Sequence, residues 1–342
     1  SELERTAAKI FVEEVSRRTG VTLSIANQIP STSPSIILTQ TGRSLAGVNP
    51  PEPNQKLTSE GFAIVSKIQP QKQTVIWLLG NDPRGCLYAV GKLLRMLRMS
   101  KGTVTLPDAV ELFSSPTYKI RGHQLGYRAT ANSYDAWSPE QFDQYIRELA
   151  IFGCNSVEGI PFHDDKPTVS PYPREKMNVD ISRICKKYGQ DYWLWVPADF
   201  DLNNIAKRTA FLSQHESLFK QCPELTGVFV AGGDPGDNPA ELVIPYLEDL
   251  SRVLIKSHPK AKIWLSMQGY RPLKQDIVYR WLEKGVPSWF GGIVAGPGSP
   301  SLPSIHDRIP KGLPIRDYPD ITHSVRCQFP VPFWDPAFAF TL

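Results

Sequence analysis

Between Tyr118 and Tyr318, short runs of β-branched and aromatic residues alternate with amphipathic segments seven times over. The runs are Tyr118–Gln124, Cys154–Ile160, Asp191–Val196, Leu225–Ala231, Lys262–Met267, Phe290–Ala295 and Leu313–Tyr318. Between them the spacing predicts helices: one opened by the capping box Ser138-Pro139-Glu140-Gln141, then Glu175–Lys187, Asn204–Lys220, Ala240–Ser257 and Leu273–Glu283, with a short helix or turn near Ser301–Arg308. Strands that alternate with helices pair in parallel, as a barrel or as an open doubly wound sheet. No G-x-G-x-x-G opens any of these helices, and the loops after the strands are rich in polar residues, which is where a barrel keeps its site. The fold class read here is therefore α/β, with a (β/α)8-type TIM barrel.

The first third has a different texture. An amphipathic helix over residues 2–18 precedes short strands at Val21–Ala26, Ser35–Thr39, Gly61–Ile68 and Thr74–Leu79. Asp82 then caps a helix whose first turn carries Pro83, and the basic run Arg95–Lys101 reads as its solvated end. This gives a small α/β domain over 1–116 and a barrel over 117–342. A complete barrel takes about 250 residues, so the seven runs predict an eighth strand outside these 342 residues.

Composition narrows the function. There are 38 Lys and Arg against 34 Asp and Glu, scattered and not striped, which argues against nucleic acid as the main partner. No apolar run is long enough to span a bilayer, so no membrane partner is expected. Five cysteines without C-x-x-C spacing suggest neither a zinc site nor a disulfide framework. No cofactor is expected. The compartment stays open, secreted or periplasmic ahead of cytoplasmic, as does the oligomeric state.

Candidate site residues follow from the strand ends: Arg121, His123 and Gln124; Glu158 and His163-Asp164-Asp165; Asp199 and Asp201; Asp234 and Asp237; Gln268 and Tyr270; Asp317, Asp320 and His323. Carboxylates do acid/base work and bind hydroxyls, and Trp193, Trp195, Trp264, Tyr270 and Trp289 offer faces for a pyranose ring. The densest segment is Gly232-Gly233-Asp234-Pro235-Gly236-Asp237, read as a catalytic carboxylate pair on a glycine-rich turn. Turn chemistry alone also favours Asp and Asn there. However, Asn238-Pro239-Ala240-Glu241 supplies a helix cap by itself, which frees Asp234 and Asp237 for chemistry. His163-Asp164-Asp165 reads as a solvated loop, and His123 and His323 as hydrogen-bonded structural histidines or substrate ligands.

Residues 80–90, Gly80-Asn81-Asp82-Pro83-Arg84-Gly85-Cys86-Leu87-Tyr88-Ala89-Val90, resemble the end of the small domain that precedes the barrel in β-hexosaminidases, O-GlcNAc hydrolases and α-glucuronidases. Arg121-Gly122 is similar to the Arg-Gly that opens the hexosaminidase barrel, and Val230-Ala231-Gly232-Gly233-Asp234 resembles the Gly-Gly-Asp-Glu motif of its fourth strand. The resemblance implies that Arg121 binds sugar hydroxyls and that Asp234 orients a substrate acetamide. Where the family carries its acid Glu, this chain has Pro235, so Asp237 or Glu158 would have to substitute.

The reading that results is a glycoside hydrolase acting on a carbohydrate, an N-acetylhexosamine or uronic acid glycoside. Asp234 and Asp237 are its catalytic carboxylates, and Arg121, His123, Glu158, Asp199, Gln268, Tyr270, Asp320 and His323 its substrate ligands. A catalytically inactive carbohydrate-binding barrel is the alternative that Pro235 supports. A metal-dependent hydrolase built on His123, His163 and the acids is the third.

Overall fold

A computed structural model describes residues 1–26, 28–30, 33–45, 47–68, 74–106, 109–125, 137–159, 172–296 and 298–317. The chain divides into two compact units. The first is Ser1–Arg121 with Tyr145–Asn155 and Lys187–Gln190; the second is Gly122–Gln144, Ser156–Lys186 and Asp191 onward.

The first unit opens with α1 (Glu2–Thr19). Its Ser1 side chain accepts from the Glu4 N–H in a capping box, and Gly20 closes it at φ 76°. Strands β1 (Ser35–Gln40), β2 (Phe62–Ile68) and β3 (Thr74–Gly80) follow, then α2 (Pro83–Met96), the hairpin β4 (Arg98–Ser100) and β5 (Thr103–Thr105), and β6 (Glu111–Ser114). The four-stranded sheet has the order β1-β3-β2-β6, parallel between β1 and β3 and antiparallel elsewhere. Ile37, Ala63, Val65, Val75, Trp77 and Leu79 share one buried cluster on it. As expected, Asp82 caps α2, accepting from the Gly85 N–H at 2.9 Å.

Two local expectations fail. Residues 21–26 form no strand: the run carries β-branched residues but pairs with no strand among the described residues and lies mostly exposed. The basic run Arg95–Lys101 ends α2 only at Arg95 and Met96, because Arg98–Ser100 pairs antiparallel with Thr103–Thr105.

In the second unit, β7 (Gly122–Gln124), β8 (Ser156–Gly159), β9 (Asp191–Trp195), β10 (Gly227–Ala231), β11 (Lys262–Ser266), β12 (Phe290–Ala295) and β13 (Ile315–Asp317) form one parallel sheet. Between them along the chain run α3 (Pro139–Ile151), which belongs to the first unit from Tyr145 onward, α4 (Arg174–Lys187), α5 (Ile205–Gln221), α6 (Ala240–Ser257), α7 (Pro272–Glu283) and α8 (Leu302–Arg308). Neighbours in the sheet follow chain order from β7 to β13 without reversal. An open doubly wound sheet reverses its strand order at a switch point; a barrel does not.

Curvature confirms the barrel. Arg316 on β13 pairs with Glu158 on β8, although four strands lie between them in the sheet order. Flat, those strands would stand about 24 Å apart at five ~4.8 Å spacings, beyond the reach of two side chains. The seven strands therefore curl around a shared interior, in a TIM-barrel-like fold. Residues 318–342, which follow β13, lie outside the described residues.

Register sorts the faces. Gln124, Glu158, Trp193 and Gly227 lie side by side on successive strands, as do Phe229, Trp264 and Gly292. These residues face inward, whereas Val157, Tyr192, Leu194, Val228, Val230, Ile263, Leu265 and Ile293 alternate with them and are buried on the helix side. The inner rows pack large against absent side chains: a Cβ on Gly227 would stand 2.6 Å from the Trp193 ring. On the outer side Tyr192 donates to Asn178 of α4 at 2.6 Å.

Candidate active site

Three clusters of polar side chains are described at or near the C-terminal ends of the strands. The deepest is Glu158, whose side chain is 1% exposed. Its Oε1 accepts from Gln124 Nε2 at 2.5 Å, and its Oε2 pairs with Nη1 of Arg316. The Arg316 guanidinium stacks 4.7 Å from the Trp193 ring centroid and 5.8 Å from that of Phe229. Among the described strands β7 and β13 are the two ends of the sheet, so Gln124, Glu158 and Arg316 form a polar bridge from one end to the other through the barrel interior.

The second cluster lies beyond β10 and β11. Gly232 and Gly233 extend the pairing: their N–H groups donate to Ser266 O at 2.9 Å and Gln268 O at 3.0 Å. A Cβ on either glycine would stand 2.7 Å from the Tyr270 ring. The glycines thus let Tyr270 pack beneath this segment. Asp234 emerges from this platform, exposed, and its Oδ2 accepts from Gln268 Nε2 at 3.2 Å.

The third cluster holds the other carboxylate of the expected pair. Asp237 sits at φ 47° with its side chain 90% exposed, and it pairs with Lys274 at 3.1 Å. The turn before α6 is held by Asn238, whose side chain does not cap the helix as anticipated. Its amide donates to Ala198 O at 2.8 Å and Phe200 O at 2.9 Å, and its oxygen accepts from the Leu202 N–H. The cap position belongs to Pro239, with no side-chain cap bond. Asn238 therefore ties the loop after β10 to the loop after β9. The sequence marks this residue only as a cap, because a buried amide that bridges two loops has no local signature.

The structure redistributes other candidates. Arg121 lies in the first unit and uses three of its N–H donors there: Nη2 donates to Glu60 at 2.6 Å, Nη1 to Tyr118 O and Nε to Gly153 O. Glu60 also takes Arg84 at 2.8 Å and the Asn155 amide. That network links Arg121 to Glu60, Tyr118 and Gly153 within the first unit. Tyr270 is 4% exposed, and burial pushes its phenol well above the usual tyrosine range; it supports the platform and does not face solvent. Asp199 is exposed at the start of the loop after β9, and His123 is half-buried on β7. His163, Asp164, Asp165, Asp320 and His323 lie outside the described residues.

The aromatic residues are redistributed too. Trp193 and Trp264 are 4% and 6% exposed and lie 5.1 Å apart, filling the barrel interior instead of offering sugar platforms. Trp289 precedes β12, at the opposite end of the strands, and packs on Trp281 and Phe290. Arg316 is the residue that sequence reasoning passed over, since its partner is 158 positions away.

Cys86, Cys154, Cys185 and Cys222 are free thiols. Among the described residues no group of three His, Cys, Asp or Glu side chains is arranged to hold a metal ion. Among them, too, no helix is long and apolar enough to cross a membrane.

No family model matches the chain, and no curated protein matches it in sequence. Solved structures do match in fold. A mutant Streptomyces plicatus β-hexosaminidase in complex with its product GlcNAc has a TM-score of 0.59 at 10% identity, over 86% of this chain and 68% of that one. The GH20 β-N-acetylhexosaminidase of Streptomyces coelicolor A3(2) also scores 0.59 at 10% identity, over 85% and 68%. CpGH84D scores 0.54 at 15% identity, over 84% of this chain and 49% of its own. This chain spans about half to two thirds of the length of these proteins. The likeness establishes the fold: a barrel of the kind seen in these glycoside hydrolases.

Proposed function

We propose that the chain is a glycoside hydrolase acting on a hexosamine-bearing glycoside, with Asp234 as its substrate-polarising carboxylate. The observation that carries this reading is the position of Asp234. It follows the fourth barrel strand, in a fold similar to that of the GlcNAc-bound Streptomyces plicatus enzyme, and Gln268 holds one of its oxygens. With Oδ2 engaged, Oδ1 is left to accept the N–H of a 2-acetamido group. A carboxylate so oriented presses the acetamide into one position and favours charge that develops on it in the transition state.

Protonation of the leaving oxygen falls to another group. Asp237 is paired with Lys274 at the surface, and Glu158 is bound between Arg316 and Gln124. Neither stands as a poised proton donor, and Pro235 follows Asp234 directly. Pro235 is also the observation that favours a second reading, a barrel that binds the sugar without cleaving it.

Hydrolysis of an aryl-glycoside panel tests the proposal. Release of the aryl group from N-acetylhexosaminides, lowered about 100-fold or more in kcat/KM by Asp234→Asn, is the expected result. Binding of the sugar by calorimetry with no turnover of any substrate would favour the second reading. Turnover unaffected by Asp234→Asn would refute the role given to that residue.

A further inference from the structure

We propose that the turn after β11, Met267-Gln268-Gly269-Tyr270, aims the Asp234 carboxylate, with Gln268 and Gly269 as positioning residues for it; this rests on the role given to Asp234 above. The turn is closed by its own backbone, the Tyr270 N–H donating to Met267 O at 3.0 Å. Gly269, its third residue, takes φ 76°, in the left-handed region that glycine enters without strain. The far side is anchored in the core. Tyr270 is buried beneath Gly232 and Gly233, and Gln275 Nε2 donates to Tyr270 O at 2.6 Å.

Residue 268 then meets the Asp234 segment twice. Its carbonyl accepts from the Gly233 N–H at 3.0 Å, and its Nε2 donates to Asp234 Oδ2 at 3.2 Å. An ionised carboxylate only accepts, so Gln268 has to present its NH2 group, and the neighbouring backbone bond fixes where that amide stands. Gly269 sets the other limit. A Cβ there would stand 3.0 Å from the Asp234 Cβ, 3.0 Å from its N and 2.8 Å from the Gly233 carbonyl carbon. Any side chain at 269 therefore displaces Asp234. Because Asp234 is exposed, burial does not hold its side chain in place; the Gln268 hydrogen bond and the bare face of Gly269 do. Both residues act through Asp234 and not on the sugar.

Titration of the full chain with N-acetylglucosamine and with glucose tests this, since the two sugars differ in an acetamide against a hydroxyl. Wild type is expected to prefer N-acetylglucosamine. Gln268→Met keeps the length and removes the donor. It is expected to lower that preference about tenfold while glucose affinity stays unchanged. Asp234→Asn should lower the preference at least as far, and the double variant should fall no lower than Asp234→Asn alone. Gly269→Ala is expected to act in the same direction, and the Gln268→Met result stands if that variant fails to fold. A merely structural residue would weaken both sugars together. Preference lost in Asp234→Asn but kept in Gln268→Met, or equal loss for both sugars in Gln268→Met, would overturn the positioning role and leave that of Asp234 intact. No preference in wild type, or one that Asp234→Asn leaves unchanged, would overturn both.

Discussion

Replacing Arg316 by Met tests the bridge across the barrel. Met keeps much of the side-chain length and can rest on Trp193, so the main loss is charge. Glu158, 1% exposed, would then hold an unpaired carboxylate with only Gln124 as a partner. Breaking a buried pair in this way costs about 3–5 kcal/mol, against about 0–1 kcal/mol for an exposed pair. The pair's exposures of 1% and 11% place it with the former. At about 2–4 °C per kcal/mol, the midpoint of the second unit should fall by roughly 6–20 °C. Thermal and urea unfolding followed by tryptophan fluorescence would measure it. Combining Arg316→Met with Glu158→Gln should recover most of the loss, for a coupling of about 2 kcal/mol or more. A single-variant cost below about 1 kcal/mol, or additive single effects, would refute the buried-bridge reasoning.

Other outcomes follow from the same geometry. Asp237→Asn should leave kcat/KM within about threefold of wild type, because an exposed ion pair contributes little; steady-state kinetics on the cleaved substrate checks this. Asn238→Ala removes three hydrogen bonds between two loops and should destabilise the second unit by about 2–3 kcal/mol, read by urea unfolding. Glu14 gives a pH signature. Burial pushes its carboxyl up, but the Arg17 hydrogen bond and the charges of Arg17, Arg147 and Arg18 outweigh that and hold it below the ordinary 4.5. Its contribution is therefore complete above about pH 4.5 and lost as pH falls through the lowered value. In stability measured between pH 6 and pH 3, Glu14→Gln should show a shallower acid decline than wild type.

The sequence carries the barrel better than it carries the site. Residues 240–257 and 290–295 match their predicted helix and strand end to end, because period and caps are local. Residues 21–26 mislead for the opposite reason: β-branched composition makes a strand only where a partner ladder exists. The hairpin at 98–105 went unread because its three-residue strands are too short to show alternation. In the site, Asp234 and Gln268 were both drawn from strand ends, and the structure brings them together. Asp237 and Tyr270 came from the same rule, yet one faces solvent and the other is buried, since position after a strand does not fix side-chain direction. Arg316 and Asn238 act through partners distant in the chain, and no spacing rule reaches them. Arg121 stands out by its dipeptide context, whereas its ion-pair partner Glu60, sixty-one positions earlier, has no signature beside it.

The most direct test of the account is a crystal structure of the chain with an N-acetylglucosamine-derived inhibitor. The account predicts the sugar at the C-terminal ends of the strands, with its acetamide N–H on Asp234 Oδ1. A sugar bound elsewhere, without Asp234 in contact, would contradict it.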